Sequence, residues 1–307
     1  MLRSFKIGKV FGIPLYIHPT FLLLPLWVQL QSQGGDLASM LFSQALLFAV
    51  FACVVLHELG HALMARYYGI PTRDITLYPI GGVARLERMS EKPLQELAIA
   101  LAGPAVNLVI FLALGPISLL ALVMGLVKIN PEAATIAYNG WPGMAAMFAL
   151  TLALCNLMLL VFNLLPAFPM DGGRVFRALL ALGMKRLRAT EIAAGVGIVV
   201  AALIATSPFY MPALLGRPES AGFNPMPLLL GLFVCFAGQM ELVALRRREA
   251  QRQAGAALAA PAPRIIEPIA APLDPEFTGF RWDSNYHAWV WWYKGRPVLN
   301  PPGNSAE

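Results

Sequence analysis

The sequence predicts an all-α polytopic membrane protein. Three observations carry that prediction: a shortage of charge, a series of long apolar stretches, and an uneven distribution of lysine and arginine along the chain. Of 307 residues, 58% are hydrophobic and only 13% are charged, where soluble domains run near half and a quarter. Between Glu96 and Arg174 the charged residues are Lys128, Glu132 and Asp171. A water-facing surface cannot be built from so few charges, so most of that surface must face lipid.

Six apolar stretches, at about 15–31, 41–65, 97–127, 143–165, 189–206 and 224–243, are long enough or nearly so to cross roughly 30 Å of hydrocarbon as helices. Pro14, Pro19 and Pro25 interrupt the first. The third is long enough to tilt or break, with Gly115-Pro116 the expected place. With the N-terminus inside, the inner segments carry Arg3, Lys6 and Lys9, then Arg66, Arg73, Arg85, Arg88 and Lys92, then Arg174, Arg177, Lys185, Arg186 and Arg188, then Arg246, Arg247 and Arg248. The outer loops carry Lys128 and Arg217. The positive-inside rule therefore puts both termini in the cytoplasm of a cell-membrane protein. This placement explains the net charge of +6 as a response to a lipid bilayer rather than to nucleic acid.

Residues 1–248 form the expected transmembrane domain, 249–273 an Ala/Pro-rich linker, and 274–307 a cytoplasmic tail. The tail holds Trp282, Trp289, Trp291 and Trp292, with Tyr286, Tyr293 and Lys294-Gly295. It reads as a small β-hairpin packed on its own domain or as an element at headgroup level. Cys53, Cys155 and Cys235 each lie in an apolar run and read as packing residues.

The strongest local signal is His57-Glu58-Leu59-Gly60-His61. On a helix, residues four apart share a face, so both imidazoles can reach one ion. Glu58 can then face the open coordination position as general base. Inside an apolar span such a polar pair must be liganded or partnered, because hydrocarbon offers no water. A hydrolytic zinc site takes three protein ligands and one water. For the third, Asp74, Glu87, Glu91 and Glu96 fall in a predicted polar loop, and Glu191 opens the fifth span. Asp171, in Asn163-Leu-Leu-Pro-Ala-Phe-Pro-Met-Asp171-Gly-Gly173, lies at the cytoplasmic end of the fourth span. His57 and His61 lie toward the same end of the second, shortly before Arg66, so the three share a depth and a side. His18 reads as an interfacial polar residue.

Taken together, HELGH in one span and NLLPAFPMDGG in a later one resemble the site-2 protease family of intramembrane zinc metalloproteases, in its short six-span bacterial and archaeal form. The similarity covers roughly residues 7–245, and Pro79-Ile-Gly-Gly-Val83 and Ala102-Gly-Pro-Ala-Val-Asn107 fit the same pattern. The resemblance implies one Zn2+ on His57, His61 and Asp171, Glu58 as base, and a substrate contact at Asn163. It also implies transmembrane proteins as substrates. The PDZ and paired nucleotide-sensing modules of many relatives have no counterpart here.

Peptide hydrolysis needs water, so the polar cluster is expected in a cavity open to the cytoplasm. A helical substrate must unwind to expose its carbonyl, and the unwound strand needs backbone partners. Residues 75–83 are a candidate re-entrant hairpin, with Gly81 and Gly82 on an edge that can pair with that strand. Gly103, Pro104 and Asn107 read as helix-packing residues. Rival readings are a prenyl-protein-processing zinc protease with Glu191 as third ligand, and a zinc transporter, sensor or scaffold without activity.

Overall fold

The computed structural model describes residues 4–31, 36–79, 81–88, 90, 92–130, 135–138, 140–214, 225–259, 274–283 and 288–298. The chain divides into two compact units, Met1–Leu245 and Arg246–Glu307.

Five helices are long and apolar enough to cross a membrane: α2 (Leu37–Tyr67), α3 (Pro93–Val123), α4 (Gly140–Asn163), α6 (Arg186–Leu214) and α7 (Pro225–Ala259). Only 6% to 22% of their most apolar windows is buried within the chain. Helices that are apolar and still outward-facing have lipid as their natural surroundings. At 1.5 Å per residue, the 31 residues of α2 extend roughly 46 Å, more than the hydrocarbon thickness. Asp36 caps α2 by accepting from the Ser39 amide at 3.0 Å. Hydrogen bonding from Ser39 holds the Asp36 carboxyl below its usual value.

The first expected span is not one helix. Residues 13–17 form a strand, Pro19–Leu22 a 3-10 turn, and α1 (Leu23–Gln31) has only nine residues. Prolines at 14 and 19 explain this, since each removes a helical donor and restricts its neighbour. The segment nevertheless runs antiparallel to α2. Phe21 meets Phe51 edge-on at 4.7 Å, and Gln44 donates to the Pro25 carbonyl at 2.9 Å. In α3, by contrast, the expected break at Pro116 does not occur, and the helix runs through both Pro104 and Pro116.

The architecture also departs from all-α in holding small sheets. Strands β1 (Phe5–Val10), β2 (Ile13–Ile17), β3 (Thr72–Tyr78) and β4 (Gly81–Leu86) form one sheet in that order. β1–β2 and β3–β4 are antiparallel hairpins, and β2 pairs parallel with β3. Phe11 (φ 50°) and Gly12 (φ 83°) make the β1–β2 turn, with both central residues left-handed as a two-residue hairpin requires. Ile13, Leu15 and Ile75 of this sheet pack on Leu59 and Ala62 of α2. That leaves His57 and His61 on another face of the helix. A short hairpin, β5 (Val127–Asn130) and β6 (Thr135–Tyr138), links α3 to α4.

The fourth apolar stretch ends at Asn163, and a loop leads into the short helix α5 (Asp171–Leu180). Asp171 therefore starts its own helix rather than ending a span. The expected polar loop is also partly structured: Asp74 is a buried residue of β3, and Glu96 is buried in the first turn of α3.

In the second unit, β7 (Gly279–Asp283), β8 (Ala288–Tyr293) and β9 (Arg296–Val298) form an antiparallel sheet. The expected linker beyond Ala259, together with Tyr286 and His287, lies outside the described residues.

Candidate metal centre

Three ligand-type atoms converge between α2 and the start of α5. His57 Nε2 and His61 Nε2 lie 3.1 Å and 3.0 Å from Asp171 Oδ2, and 3.1 Å from each other. All three residues are buried, at 6%, 5% and 7% exposure, which matters because buried polar groups must be satisfied by one another or by an ion. Among the described residues they form a group that could hold a metal, and Glu191 is not part of it.

The surroundings orient the imidazoles. His61 Nδ1 contacts the Ile99 carbonyl of α3 at 2.7 Å. A carbonyl only accepts, so Nδ1 carries the proton and the Nε2 lone pair points into the trio. His57 Nδ1 faces the amide of Asn107, also on α3, at 3.2 Å. Asn107 is fully buried, and its Oδ1 has no partner. Turning that oxygen toward an Nδ1–H would satisfy both atoms and free the His57 Nε2 lone pair.

The backbone around the trio leaves it room. A Cβ on Gly103 of α3 would lie 2.2 Å from His61 Nε2 and 2.8 Å from His57 Nε2. A Cβ on Gly60 would meet the Ala102 carbonyl at 2.6 Å, so α2 and α3 touch through bare backbone beside the site. At Asp171, Gly172 and Gly173 press on the carbonyls of Leu164, Leu165 and Ala167, where a Cβ would come within 2.3 to 2.8 Å. Two imidazoles, one carboxylate and a glycine-walled cradle match the three-ligand set of zinc hydrolases.

Glu58 is half-buried next to the trio, and its Oε2 accepts from the Ala84 amide of β4 at 3.1 Å. Gly82 lies against it, where a Cβ would meet Glu58 Cγ at 2.7 Å. Gly81 has φ 138°, a conformation that side chains disfavour. Asn163 is half-buried at the last turn of α4. His18 contacts Thr20 Oγ1 at 2.7 Å and stacks on Tyr78, apart from the trio.

A buried ionic cluster braces α5. Arg177 is 1% exposed, and its Nε donates to Glu96 Oε1 at 2.9 Å while Nη2 pairs with the same carboxylate. Nη1 donates to Glu241 of α7 at 2.7 Å, and Arg186 of α6 reaches Glu96 Oε2 at 2.9 Å. Burial alone would lower the Arg177 pKa, and the two carboxylates reverse this. Sequence reasoning counted Arg177 and Arg186 as topology charges, placed Glu96 in a polar loop and did not single out Glu241. It missed Asn107 and Gly103 as neighbours of the histidines, although the AGPAVN pattern had marked both.

Comparison with known proteins places the chain. Residues 45–204 match peptidase family M50, and the chain belongs to that family. It is 36% identical over 242 residues to a zinc metalloprotease of Methanocaldococcus jannaschii, covering 78% of this chain and 61% of that protein. A Synechocystis protein named as a zinc metalloprotease is 37% identical over 188 residues, covering 58% of this chain and 45% of that one. The chain thus spans about half to three fifths of the length of these relatives. A solved site-2 protease from M. jannaschii aligns with 34% identity and a TM-score of 0.49, covering 78% of this chain and 95% of that one. With five long apolar helices and these relatives, the chain is a multi-pass membrane protein of a zinc metalloprotease family.

Proposed function

We propose that this chain is an intramembrane zinc metallopeptidase that cleaves membrane-spanning polypeptides. The observation that carries the reading is the buried trio of His57, His61 and Asp171 with Glu58 beside it, both histidines and Glu58 lying on the membrane-length apolar helix α2. In this reading the three side chains hold one Zn2+. When bound, zinc lowers the pKa of its water to about 7 and polarises a carbonyl. Glu58 takes the proton from the attacking water and returns it to the leaving amine.

The edge of β4 offers the unwound substrate a backbone partner. The Ala84 N–H points to Glu58 rather than to β3, so Ala84, and Gly82 two residues before it, present their amides along the outer edge. A substrate strand added there would take the Ala84 N–H and release the Glu58 carboxylate next to the scissile bond. Asn163 is assigned a contact with the substrate carbonyl. Residues 1–248 form the peptidase domain, 249–273 a linker and 274–307 a tail, with both termini cytoplasmic.

The test is Glu58→Gln in purified full-length protein. Zinc should stay near one equivalent, while cleavage of a single-span model substrate falls by about 10²–10⁴-fold. Normal cleavage by this variant would remove Glu58 from the mechanism.

A further inference from the structure

The C-terminal sheet has two unlike faces. On one, Val290 and Trp292 are 9% and 6% exposed, and Pro297 beside Trp292 is fully buried. The segment before β7 folds back on this sheet: the Gly295 amide donates to the Phe277 carbonyl at 2.9 Å, and the Lys294 amide to Thr278 Oγ1 at 3.2 Å. The register puts Phe280 opposite Trp291 and Trp282 opposite Trp289, with Tyr293 next along β8. These five rings share the other face. Phe280, Trp282, Trp289 and Tyr293 are 48% to 67% exposed, and among the described residues the rings touch one another, at 4.9 Å for Phe280–Trp291 and 6.0 Å for Trp282–Trp289. A bare patch of this kind on a small domain marks a docking surface.

Charge and tethering select the occupant. Arg296 pairs with Tyr293 and so joins the aromatic face, and Lys294 Nζ lies over the Tyr293 ring at 5.8 Å. The strand positions on this face carry no acidic side chain: Asp283 alternates to the opposite side. Rings that are apolar in body and polar at one edge, bordered by cations, match the headgroup layer of an anionic leaflet. The sheet also follows in the same chain from α7, a candidate span, after 19 intervening residues. That link holds it at high effective concentration next to a bilayer, so even weak lipid contacts would be occupied.

We propose that the face formed by Phe280, Trp282, Trp289, Trp291 and Tyr293, with Arg296 and Lys294, docks on the anionic leaflet at the C-terminal end of α7. The proposal rests on α7 crossing a bilayer, and is independent of the peptidase reading.

The test uses the full-length chain with Trp27→Phe and Trp141→Phe, so that emission comes from the tail, in nanodiscs of phosphatidylcholine and phosphatidylglycerol. Acyl-brominated phosphatidylcholine should quench that emission at least about twofold, and molar salt or Arg296→Glu should weaken the quenching. Replacing Trp282, Trp289 and Trp291 by Gln leaves the buried Trp292, whose emission should be insensitive to bromine. Equal emission in brominated and plain nanodiscs would overturn the proposal. So would an emission shift on adding a proline-rich peptide without lipid quenching, which would make the face a peptide groove. Quenching indifferent to anionic lipid, salt and Arg296→Glu would overturn the charge-matched docking. The reciprocal variant, with Trp27 and Trp141 kept and the tail tryptophans changed to Phe, reports insertion of the helical domain separately.

Discussion

Asn107 of α3 lies 3.2 Å from His57 Nδ1 and is fully buried, with its Oδ1 left unpartnered. A ligand histidine needs an acceptor for its second nitrogen, and removing such an acceptor typically costs 10–100-fold in metal affinity. Asn107→Leu, close in volume and unable to accept, should weaken zinc binding by about 10–100-fold, measured by competition with a chromogenic chelator. Asn107→Asp, which keeps an acceptor, should bind zinc much more tightly than the leucine variant. Equal affinity in all three proteins would reduce Asn107 to a packing residue.

The glycines next to the site separate two kinds of damage. Gly103→Ala drives a methyl into both imidazoles, 2.2 Å from His61 Nε2, and should lower zinc content and activity together. Gly82→Ala instead meets Glu58 Cγ at 2.7 Å, so zinc should remain near one equivalent while cleavage falls by about tenfold or more. Gly115→Ala, in the same helix as Gly103, meets nothing within 4 Å and serves as the control. It should preserve both quantities. Loss of zinc in the Gly82 variant would mean that β4 supports the metal rather than the base.

Much of this site was legible in the sequence. His57 and His61 fall four apart in an apolar run, so helical periodicity alone put them on one face. Asp171 was the one carboxylate that charge counting brought to their depth, and the structure sets it 3.0 Å from His61. What escaped was whatever depends on clearance or on pairing across elements. Gly103 signals close packing, yet only three dimensions show that the close neighbour is an imidazole. Strand β2 runs into the start of the first apolar stretch, where hydrophobicity does not distinguish a short buried strand from part of a span, and β1 carries Lys6 and Lys9, which counted as topology charges. The prolines at 14 and 19 were the available signal for them. Glu96 and Arg177 lie 81 positions apart, and no local pattern links them.

Removing a ligand tests the trio directly. Asp171→Ala should lose most bound zinc, because two imidazoles remain where a hydrolytic site needs three protein ligands. Glu191→Ala should retain it, since Glu191 is outside the trio. Metal analysis of the purified proteins by atomic absorption checks both. Zinc retained without Asp171 and lost without Glu191 would transfer the third ligand to α6.

The Arg177–Glu96 pair predicts a stability effect distinct from the chemistry. Both side chains are nearly inaccessible, at 1% and 6%, and Glu96 also holds Arg186. Breaking a buried pair by removing one partner leaves an uncompensated charge and costs about 3–5 kcal/mol. Arg177→Ala should therefore lower the thermal midpoint in detergent well beyond an exposed change such as Arg73→Ala. Arg177→Lys should rescue it only in part, because a single ammonium cannot reproduce the fork reaching Glu96 and Glu241 together. Asp171 begins the helix that carries Arg177, so the alanine variant should also bind zinc more weakly at temperatures where it is still folded. A lowered midpoint with undiminished zinc affinity would show that the cluster stabilises the bundle without positioning Asp171.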